Sequence, residues 1–467
     1  MPLTSGAGEP ADDDIDDVLT LPDGPPTDAQ GRRSMTGHRD YLLSLIEPLT
    51  PFGINLLDAW GLNLCEDIKA DGDLPPVPVA ETDGYAFNFE DIAATPPGAR
   101  PALTLAEAPA PARALEEPAP RKRGRKAAPA EDDVAEPAER RLGIGEALPV
   151  KAGDALPEGA DTVVAGWQAR LDDTGHHIRI VLLTKAVEGD WVRQVGVEAR
   201  DGEVLAAAGT LLNDRRSALL ASAGFDRVMA RPRTRVTIVH VTDGNTPAVG
   251  ADGRAAGTGM QMVNGAARID GATVYRVEID LTALPYARER LSDELIRADL
   301  VLTVGGLTDD GADPRLIELL ESMGVIDVAD VAMLPGSCHG VGLIGDDRTP
   351  VVMLPTDPSA LLVAYHAFAR PAIRKLMGVE PFVHDPVLCF AERNFDAELD
   401  LVQLVPCRLR QDGNRYLAGE ITPRRHSQLP TLVDADALIL LPGDKARVYA
   451  GEAVAAWLLD DQRIATK

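Results

Sequence analysis

Two glycine and proline turns between residues 301 and 375 are the part of the chain best suited to chemistry. One apolar run leads into Gly305-Gly306 and the segment that ends at Asp313, and a second apolar run leads into Leu354-Pro355. Glycine has no Cβ, so a Gly-Gly turn after a buried strand lets backbone amides approach an anionic ligand. The second turn stands at the start of a helical run and repeats this arrangement. Together the turns predict an anion-binding crevice.

The elements around these turns alternate between strand and helix from Arg235 onward. That order predicts a mostly parallel sheet covered by helices on both faces. Strands are expected at 236–241, 275–279, 300–304 and 351–354. Ligands of such sheets bind beyond the carboxyl ends of the strands. The segments 242–244, 305–313 and 354–359 follow three of these strands, so we expect them to converge on one crevice.

Acidic and imidazole side chains are expected near this crevice. Asp243 and Asp313 are candidate Mg²⁺ ligands, because that ion prefers oxygen donors. Asp313 also precedes a proline, where a helix N-cap is expected, so a structural role is open for it. We interpret His240 and His339 as packed or solvated imidazoles rather than catalysts. The sequence gives no support for a Ser/His/Asp triad.

Length and composition restrict the class of protein. A chain of 467 residues exceeds what one hydrophobic core usually supports, so several domains are expected. The net charge of −27 disfavours nonspecific binding to nucleic acid or to an anionic membrane. Four scattered cysteines without Cys-x-x-Cys spacing favour a reducing cytoplasm. The acidic N-terminus does not resemble a signal peptide, and no apolar run reaches the ~18 residues that span a bilayer.

Two stretches are expected to be disordered, because they are rich in proline, glycine, alanine and charge and lack periodicity. They are a tail at 1–34 and an insertion at 107–140. The insertion carries a basic block at 121–126 that superficially looks like a motif for the DNA minor groove, but the Arg-Pro that normally follows is missing. A solvated loop is therefore favoured over contact with nucleic acid.

Several separated segments resemble, in order, the molybdopterin molybdenumtransferase family, the MoeA and gephyrin E-domain proteins. The segments are Asp83-Gly84-Tyr85-Ala86, the stretch 156–161 that ends in Asp161, the Gly305-Gly306 turn with Asp313, and the Leu354-Pro355 turn. The resemblance spans about residues 35–467 except the insertion. It implies an α/β plus β fold, in an elongated multi-domain subunit with a MogA-like molybdopterin-binding α/β domain and small β domains.

The resemblance also implies domain limits and an oligomeric state. The expected domains are a linking subdomain at 35–70 plus 184–230, a small β domain at 71–183, the α/β domain at 231–379 and a C-terminal β domain at 380–467. Proteins of this family form homodimers, so a homodimer is expected here.

The family reaction uses Mg²⁺ and molybdate, hydrolyses adenylylated molybdopterin, inserts the metal and releases AMP. By position, the resemblance implies catalytic roles for Asp83, Asp161, Asp243 and Asp313. It implies contacts with the cofactor for Gly305, Gly306, Thr308, Pro355 and Ser427. The metal ligands would be Asp243 and Asp313.

The charge of the crevice departs from the family pattern. The family has two lysines in a Lys-Pro-Gly-Lys-Pro segment, and this chain has Leu334 and Ser337 in their places. Three acidic residues are added nearby, namely Asp309, Asp310 and Asp357. Losing one charge-assisted contact costs roughly 1.5–3 kcal/mol, and a new repulsive charge adds to that loss.

Two further positions depart from the pattern. Val197 stands where the family has a functional glutamate, with Glu198 one place along. If this segment is a strand, Glu198 faces the opposite side and is a poor substitute. Of the family's Asp-Ser-Asn segment, only Asn264 is kept.

These departures lead to two hypotheses. The favoured one is a protein that keeps the fold and a weakened pterin pocket, has lost efficient metal insertion, and acts with protein partners as a gephyrin-like scaffold or regulator. The alternative is an active molybdopterin molybdenumtransferase with a rearranged pocket.

Overall fold

The computed structural model of the chain describes residues 20–96, 98–106, 141–244, 257–421 and 428–459. Over these residues the helices are α1 (Met35–Ser44), α2 (Glu90–Ala93), α3 (Asp214–Ser222), α4 (Thr258–Ile269), α5 (Leu284–Leu295), α6 (Pro314–Glu321), α7 (Pro358–Ala364), α8 (Arg370–Met377) and α9 (Gln428–Val433). A 3₁₀ turn is formed by Gly166–Gln168 and a π-helical turn by Tyr365–Ala369. Within the described ranges, no helix is long and apolar enough to cross a membrane.

The strands in the first half of the chain are short. They are β1 (Phe52–Asn55), β2 (Ile68–Lys69), β3 (Val79–Ala80), β4 (Gly84–Phe87), β5 (Ala102–Leu105), β6 (Glu146–Val150), β7 (Thr162–Ala165), β8 (Ala169–Asp172), β9 (Arg179–Leu182), β10 (Val192–Arg193), β11 (Val204–Ala206) and β12 (Arg227–Ala230).

The strands in the second half include the longer ones. They are β13 (Arg235–Thr242), β14 (Thr273–Asp280), β15 (Leu300–Val304), β16 (Leu307–Thr308), β17 (Gly311–Ala312), β18 (Gly324–Asp330), β19 (Met333–Leu334), β20 (Cys338–Ile344), β21 (Thr349–Leu354), β22 (Val387–Ala391), β23 (Phe395–Asp396), β24 (Val402–Asp412), β25 (Arg415–Glu420), β26 (Ala437–Leu441), β27 (Arg447–Val448) and β28 (Ala453–Leu458).

The chain divides into two compact units. The larger one takes in Met1–Glu66, Ala208–Ser217 and Asp226–Lys467, and the smaller one takes in Asp67–Ala207 and Ala218–Phe225. Each unit has its own six-stranded sheet, and the larger unit has a second one. The α/β plus β fold class predicted from the sequence is confirmed.

The central sheet of the larger unit has the strand order β14-β13-β15-β21-β20-β18. Its first four strands run parallel, as the sequence predicts, and β20 and β18 add an antiparallel edge that was not predicted. Two glycines interrupt the apolar run of β20 at points where neighbouring strands approach closely. A Cβ on Gly340 would collide with Met353, and one on Gly342 would collide with the Val325 carbonyl.

Alternation along the parallel strands divides the core into two faces. Val236 and Ile238 pack with α4 and with the α7–α8 region, whereas Val239 and Val241 pack with α5 and α6. Because successive side chains of a strand point to opposite faces, continuous apolar runs bury both sides of the sheet. Helices therefore cover both faces, as expected.

The long helical run after β21 is not one regular helix. It was predicted over 360–377, and the structure starts it at Pro358 and places a π-helical turn between α7 and α8. That turn buries Tyr365 and Phe368 in the core. The run ends at Gly378, whose φ of 65° is the left-handed conformation that glycine adopts freely.

The C-terminal part of the larger unit is a closed β-barrel. Its strands follow the order β24-β25-β22-β28-β26, and an additional pairing of β26 with β24 closes the barrel. β19 extends this sheet by pairing in parallel with the start of β24. The residues just before the 335–338 loop therefore belong to the barrel sheet, while the residues just after it begin β20 of the central sheet.

The smaller unit is built on a sheet with the strand order β7-β4-β6-β5-β9-β8. Phe87 and Ile180 are fully buried in its core. The central strand β4 begins at Gly84, and a Cβ there would collide with the carbonyl of Val164 on β7. Glycine at this position is therefore a requirement of strand packing.

Part of the N-terminal stretch expected to be disordered has defined contacts. Arg33 forms a bidentate ion pair with Asp327 on β18, at 2.8 and 3.2 Å. Ser34 caps α1 by accepting from the Gly37 amide. The prediction of a disordered tail is therefore wrong for 20–34, because these contacts offset the ordering entropy. Residues 1–19 and the insertion at 107–140, with its basic block, lie outside the described residues.

Gly84→Ala should destabilise the protein by about 3 kcal/mol, because the added methyl group has no space beside Val164. Urea unfolding of the full chain measures this loss. The control is Gly175→Ala in a turn of the same unit, where the nearest atom to a new Cβ would be 3.7 Å away. Equal stability of the two variants would contradict the packing role of Gly84.

Candidate functional site

Hydrogen bonds join the loops at the carboxyl ends of the parallel strands. The Gly305 amide donates to the Leu354 carbonyl at 3.3 Å, and the Thr356 amide donates to the Leu307 carbonyl at 3.2 Å. A Cβ on Gly305 would lie 2.8 Å from the Val241 carbonyl, so the end of β13 is also in contact. The structure thus brings together the three segments that strand order placed at one crevice.

The two glycines serve backbone packing here. Gly305 and Gly306 have φ values of 107° and 74°, which L side chains rarely adopt. A Cβ on Gly306 would lie 2.6 Å from the Leu316 side chain of α6. The Gly305 amide is already bonded to Leu354. Their role as cofactor contacts stays a prediction, and the Gly305 amide is not free to donate to a ligand.

A small hairpin follows the Gly-Gly turn and carries two of the added acidic residues. β16 and β17 pair so that Asp309 and Asp310 form its exposed tip. Asp309 Oδ1 accepts a hydrogen bond from the Ser337 amide at 3.2 Å. Thr308 Oγ1 donates to the Gly311 carbonyl at 3.3 Å. The hairpin tip is therefore bound to the 335–338 loop, where the resemblance implies a lysine.

Asp313 is the N-cap of α6. Its Oδ1 accepts from the Arg315 amide at 2.9 Å, and its carboxylate forms an ion pair with the Arg315 guanidinium at 2.7 Å. The hydrogen bond from the Arg315 side chain is the main cause that lowers the Asp313 pKa. Both of its oxygens are engaged, which favours the structural interpretation that the sequence left open.

Asp357, which the sequence interpretation counted as an added charge, is also a helix cap. Its Oδ1 accepts from the amides of Ser359 and Ala360 at 2.9 and 3.0 Å at the start of α7. Pro355, two residues earlier, is buried, and its role as a cofactor contact stays a prediction. Ser427 lies outside the described residues.

A second group of acids lies where β13 and β14 end. Asp243 is exposed after β13, and Asp280 ends β14. Asp280 accepts from the Thr282 amide and hydroxyl at 2.8 and 2.7 Å, and the amide bond is the main cause that lowers its pKa. The charges of Asp243 and Asp280 both act on Arg315. Arg315 is thus the cation shared by the acids of this part of the crevice.

These residues do not fit Mg²⁺ as they stand. Asp313 directs its two oxygens to Arg315, and a guanidinium beside a carboxylate competes with a metal ion. No group of three or more His, Cys, Asp or Glu side chains with metal-binding geometry occurs among the described residues. Asp243 and Asp313 remain a prediction as metal ligands, and we derive no reaction step through the ion.

Packing against α7 and the barrel sheet fixes the 335–338 loop. Gly336 has a φ of 82°, and a Cβ there would lie 2.9 Å from Ala360 Cβ on α7. Leu334 is half-buried in β19, opposite Gln403 of β24. His339 Nε2 lies 3.0 Å from the Gly336 carbonyl. Of the two positions where the family has lysines, Leu334 therefore lies in a barrel strand and Ser337 lies in the loop that follows it.

A buried imidazole pair lies under this loop. His38 of α1 and His339 of β20 are almost fully buried, with ring centroids 6.1 Å apart, and both pack on Phe368. Neither ring nitrogen of His38 has a hydrogen-bond partner. Burial lowers the pKa of His38 to about 3 and that of His339 to about 4. The sequence gave no signal for this pairing.

The two acidic site residues of the smaller unit bind backbone groups. Asp83 is exposed, and its Oδ1 accepts from the Ala152 amide at 2.8 Å. Asp161 Oδ1 accepts from the Phe89 amide and the Thr162 hydroxyl, both at 2.8 Å. Asp161 thus holds the backbone of a turn, and its catalytic role stays a prediction. Asp83 keeps Oδ2 at the surface, so it is the better placed of the two to meet a ligand.

The segment that contains Val197 and Glu198 is not a strand. Residues 195–198 form a turn after β10, so alternation between two faces does not apply to them. Glu198 pairs with Arg193 at 2.9 Å, and Val197 is exposed. In the larger unit, the retained Asn264 lies within α4 and accepts from Arg268 Nε at 3.2 Å. That contact is local to the helix.

The larger unit joins a mostly parallel sheet to a closed barrel, and the smaller unit is a separate β unit. These features define the class as a multi-domain α/β plus β protein. Residues 33–224 match the MoeA N-terminal region, domains I and II, and residues 391–459 match the MoeA C-terminal region, domain IV. The chain belongs to the MoeA family.

Named relatives and a solved structure agree with this assignment. Molybdopterin molybdenumtransferase 1 of Mycobacterium tuberculosis is 27% identical over 86% of this chain and 93% of its own length. Molybdopterin molybdenumtransferase of Bacillus subtilis is 25% identical over 69% of this chain and 75% of its own length. The crystal structure of a molybdopterin biosynthesis MoeA protein from Pyrococcus horikoshii shows the same fold, with a TM-score of 0.66 and 19% identity over 92% of this chain and 99% of that one.

The helix-cap role of Asp313 predicts different effects for two substitutions. Asp313→Ala should lower the free energy of unfolding by about 1 kcal/mol, because the Arg315 amide loses its acceptor. Asp313→Asn keeps a hydrogen-bond acceptor, so its free energy of unfolding should stay close to that of the parent protein. Urea unfolding checks both, and an equal loss in the two variants would show that the charge, not the cap, matters.

The buried imidazole pair predicts a loss of stability in acid. The His38 pKa is lowered to about 3 from 6.5, so its neutral form stabilises the fold fully above about pH 6.5. That stability is lost as the pH falls from 6.5 towards the folded value, at about 1.4 kcal/mol per pH unit. His38→Leu should reduce the slope of unfolding free energy between pH 6 and 4 by that amount. An exposed control, His176→Leu, should leave the slope unchanged, and an unchanged slope in His38→Leu would contradict the assignment.

Proposed function

We propose that this protein acts in molybdenum cofactor biosynthesis, where it binds adenylylated molybdopterin but inserts molybdate inefficiently. Family membership and relatives named molybdopterin molybdenumtransferases support the first half of the proposal. The second half rests on one observation, the charge of the crevice. A gephyrin-like scaffold or regulatory role with protein partners would follow from weakened insertion. The family resemblance and the scattered cysteines add a homodimeric, cytoplasmic protein to the proposal.

The acidic residues of the crevice outnumber its cations among the described residues. Asp309 and Asp310 are exposed at the hairpin tip, and Asp243 and Asp280 lie at the neighbouring strand ends. Arg315 is the cation that these strand-end acids share, and it is already paired with Asp313. A phosphate or molybdate anion entering this crevice would meet net negative charge, which reduces its local concentration and its affinity.

The aspartate side chains near the crevice cannot turn away by a simple rearrangement, because several of them support the fold. Asp309 binds the Ser337 amide, Asp313 caps α6 and Asp357 caps α7. Each carboxylate is therefore held near the crevice by the backbone. This favours weakened insertion over the alternative of an active enzyme with a rearranged pocket.

Restoring the cations tests the proposal. Leu334→Lys and Ser337→Lys together should raise the affinity for adenylylated molybdopterin by at least about tenfold, because each charge-assisted contact contributes about 1.5–3 kcal/mol. Ser337→Lys alone should have the smaller effect, since Asp309 binds the same residue and would pair with the new ammonium group. Adding Asp309→Asn should recover the difference. The measurements are ligand affinity and AMP release with molybdate and Mg²⁺.

Leu388→Lys is the matched control. Leu388 is exposed on β22 of the barrel, so a lysine at this position adds the same charge elsewhere in the protein. Thermal unfolding of every variant separates binding from instability, since Leu334 is half-buried. The unaltered protein releasing AMP as fast as a relative with both lysines would support the alternative, an active transferase. No gain in the double variant would show that the crevice charge does not limit binding.

A further inference from the structure

We propose that Trp167 and Trp191 of the smaller unit form a stacking platform for a planar nitrogen heterocycle. The two rings meet edge to face, with centroids 5.7 Å apart and an interplanar angle of 82°. Their exposed fractions are 66% and 38%, so neither ring serves the core. Exposed aromatic faces held in a fixed geometry are what base-stacking sites provide.

The backbone at Trp191 is held in a conformation that its side chain disfavours. Its φ is 58°, in the left-handed region where glycine and asparagine are tolerated and a bulky side chain is uncommon. Strain of this kind at a surface residue points to a function for the side chain. Folding alone gives no reason to retain an exposed indole at this position.

Hydrogen bonds fix the position of the Trp191 ring and backbone. Its Nε1 donates to Gln168 Oε1 at 3.1 Å, which limits rotation of the indole. Its carbonyl accepts from the Glu81 amide at 2.9 Å, and the carbonyl of the preceding Asp190 accepts from the Val163 amide at 3.0 Å. The ring is therefore pre-organised, so a ligand would not have to order it on binding.

The platform borders the turn that carries Asp83. The Gly166 amide, next to Trp167, donates to the Asp83 carbonyl at 3.0 Å. The bond from Glu81 to Trp191 anchors the other side of the same turn. Asp83 uses Oδ1 for the Ala152 amide, which leaves Oδ2 as an acceptor at the surface.

The two indole rings and the Asp83 carboxylate together favour one class of ligand. An aromatic face stacks on a planar ring, and a carboxylate acceptor suits the amino group that such a ring carries. Exposed carboxylates of Glu81 and Asp83 make the site a poor one for a bare anion. The inference rests on the proposed function at one point, since adenylylated molybdopterin contains two amino-substituted heterocycles, adenine and pterin.

Two variants remove the platform. Trp191→Asn replaces the indole by a residue that tolerates the left-handed backbone, and Trp167→Ala removes its partner. Each should weaken binding of the heterocycle by at least fivefold, as expected for loss of one stacking contact. The probes are AMP and 6-hydroxymethylpterin, titrated separately into the full chain by calorimetry. The matched control is Trp60→Ala, which removes an exposed tryptophan of the larger unit and should leave both affinities unchanged.

The melting temperature separates a binding role from a structural one. Trp191→Asn should melt at the same temperature as the parent or higher, because the backbone strain is relieved. Weaker binding together with unchanged or raised stability supports the platform, whereas a lowered melting temperature with unchanged affinity overturns it. Loss of AMP binding alone identifies adenine as the stacked ring, and loss of pterin binding alone identifies the pterin.

The test of the tryptophan platform is independent of the test with the lysine variants of the crevice. If the lysine variants gain affinity while the tryptophan variants bind as the parent does, the platform is wrong and the proposed function stands. If AMP or the pterin binds through the tryptophans while no AMP release occurs in any variant, the platform stands and only the insertion step is affected. A parent protein that binds neither probe overturns the platform.

Discussion

The close approach of backbones at the carboxyl ends of the parallel strands is the constraint on which the crevice depends. Gly305 sits against the Val241 carbonyl and donates its amide to Leu354, so β13, β15 and β21 end at one point. Any Cβ at Gly305 would separate them. The hairpin after β16, the 335–338 loop and the start of α7 are positioned relative to this junction. Backbone packing at this junction therefore determines the shape of the crevice.

The acidic residues of the crevice illustrate how one side chain can serve the fold and limit the chemistry. Asp313 and Asp357 each accept amide hydrogens at a helix start, where negative charge is favourable. Asp309 accepts the Ser337 amide and so holds the loop that has no lysine. Removing these carboxylates would release charge repulsion but lose a cap or a loop contact. The electrostatic character of the crevice is therefore coupled to its stability.

The sequence predicts much of the sheet because burial on both faces requires apolar runs, and β13 and β15 are such runs. It misses β20, where Gly340 and Gly342 admit a close neighbour instead of contributing side chains. The N-cap of α6 is readable from Asp313 before a proline. The conformation of Trp191 is not readable, because tertiary hydrogen bonds and not the residue type impose its positive φ.

The two proposed sites would hold a ligand by different physical means. In the larger unit the crevice lacks the two lysines, so charge contributes less to binding. In the smaller unit the turn that retains Asp83 is bordered by two exposed indoles. Stacking depends weakly on salt, whereas ion pairing at an exposed site is screened. A stacking contribution from the proposed platform would depend little on ionic strength, whereas an electrostatic contribution from the crevice of the larger unit would fall as salt is added.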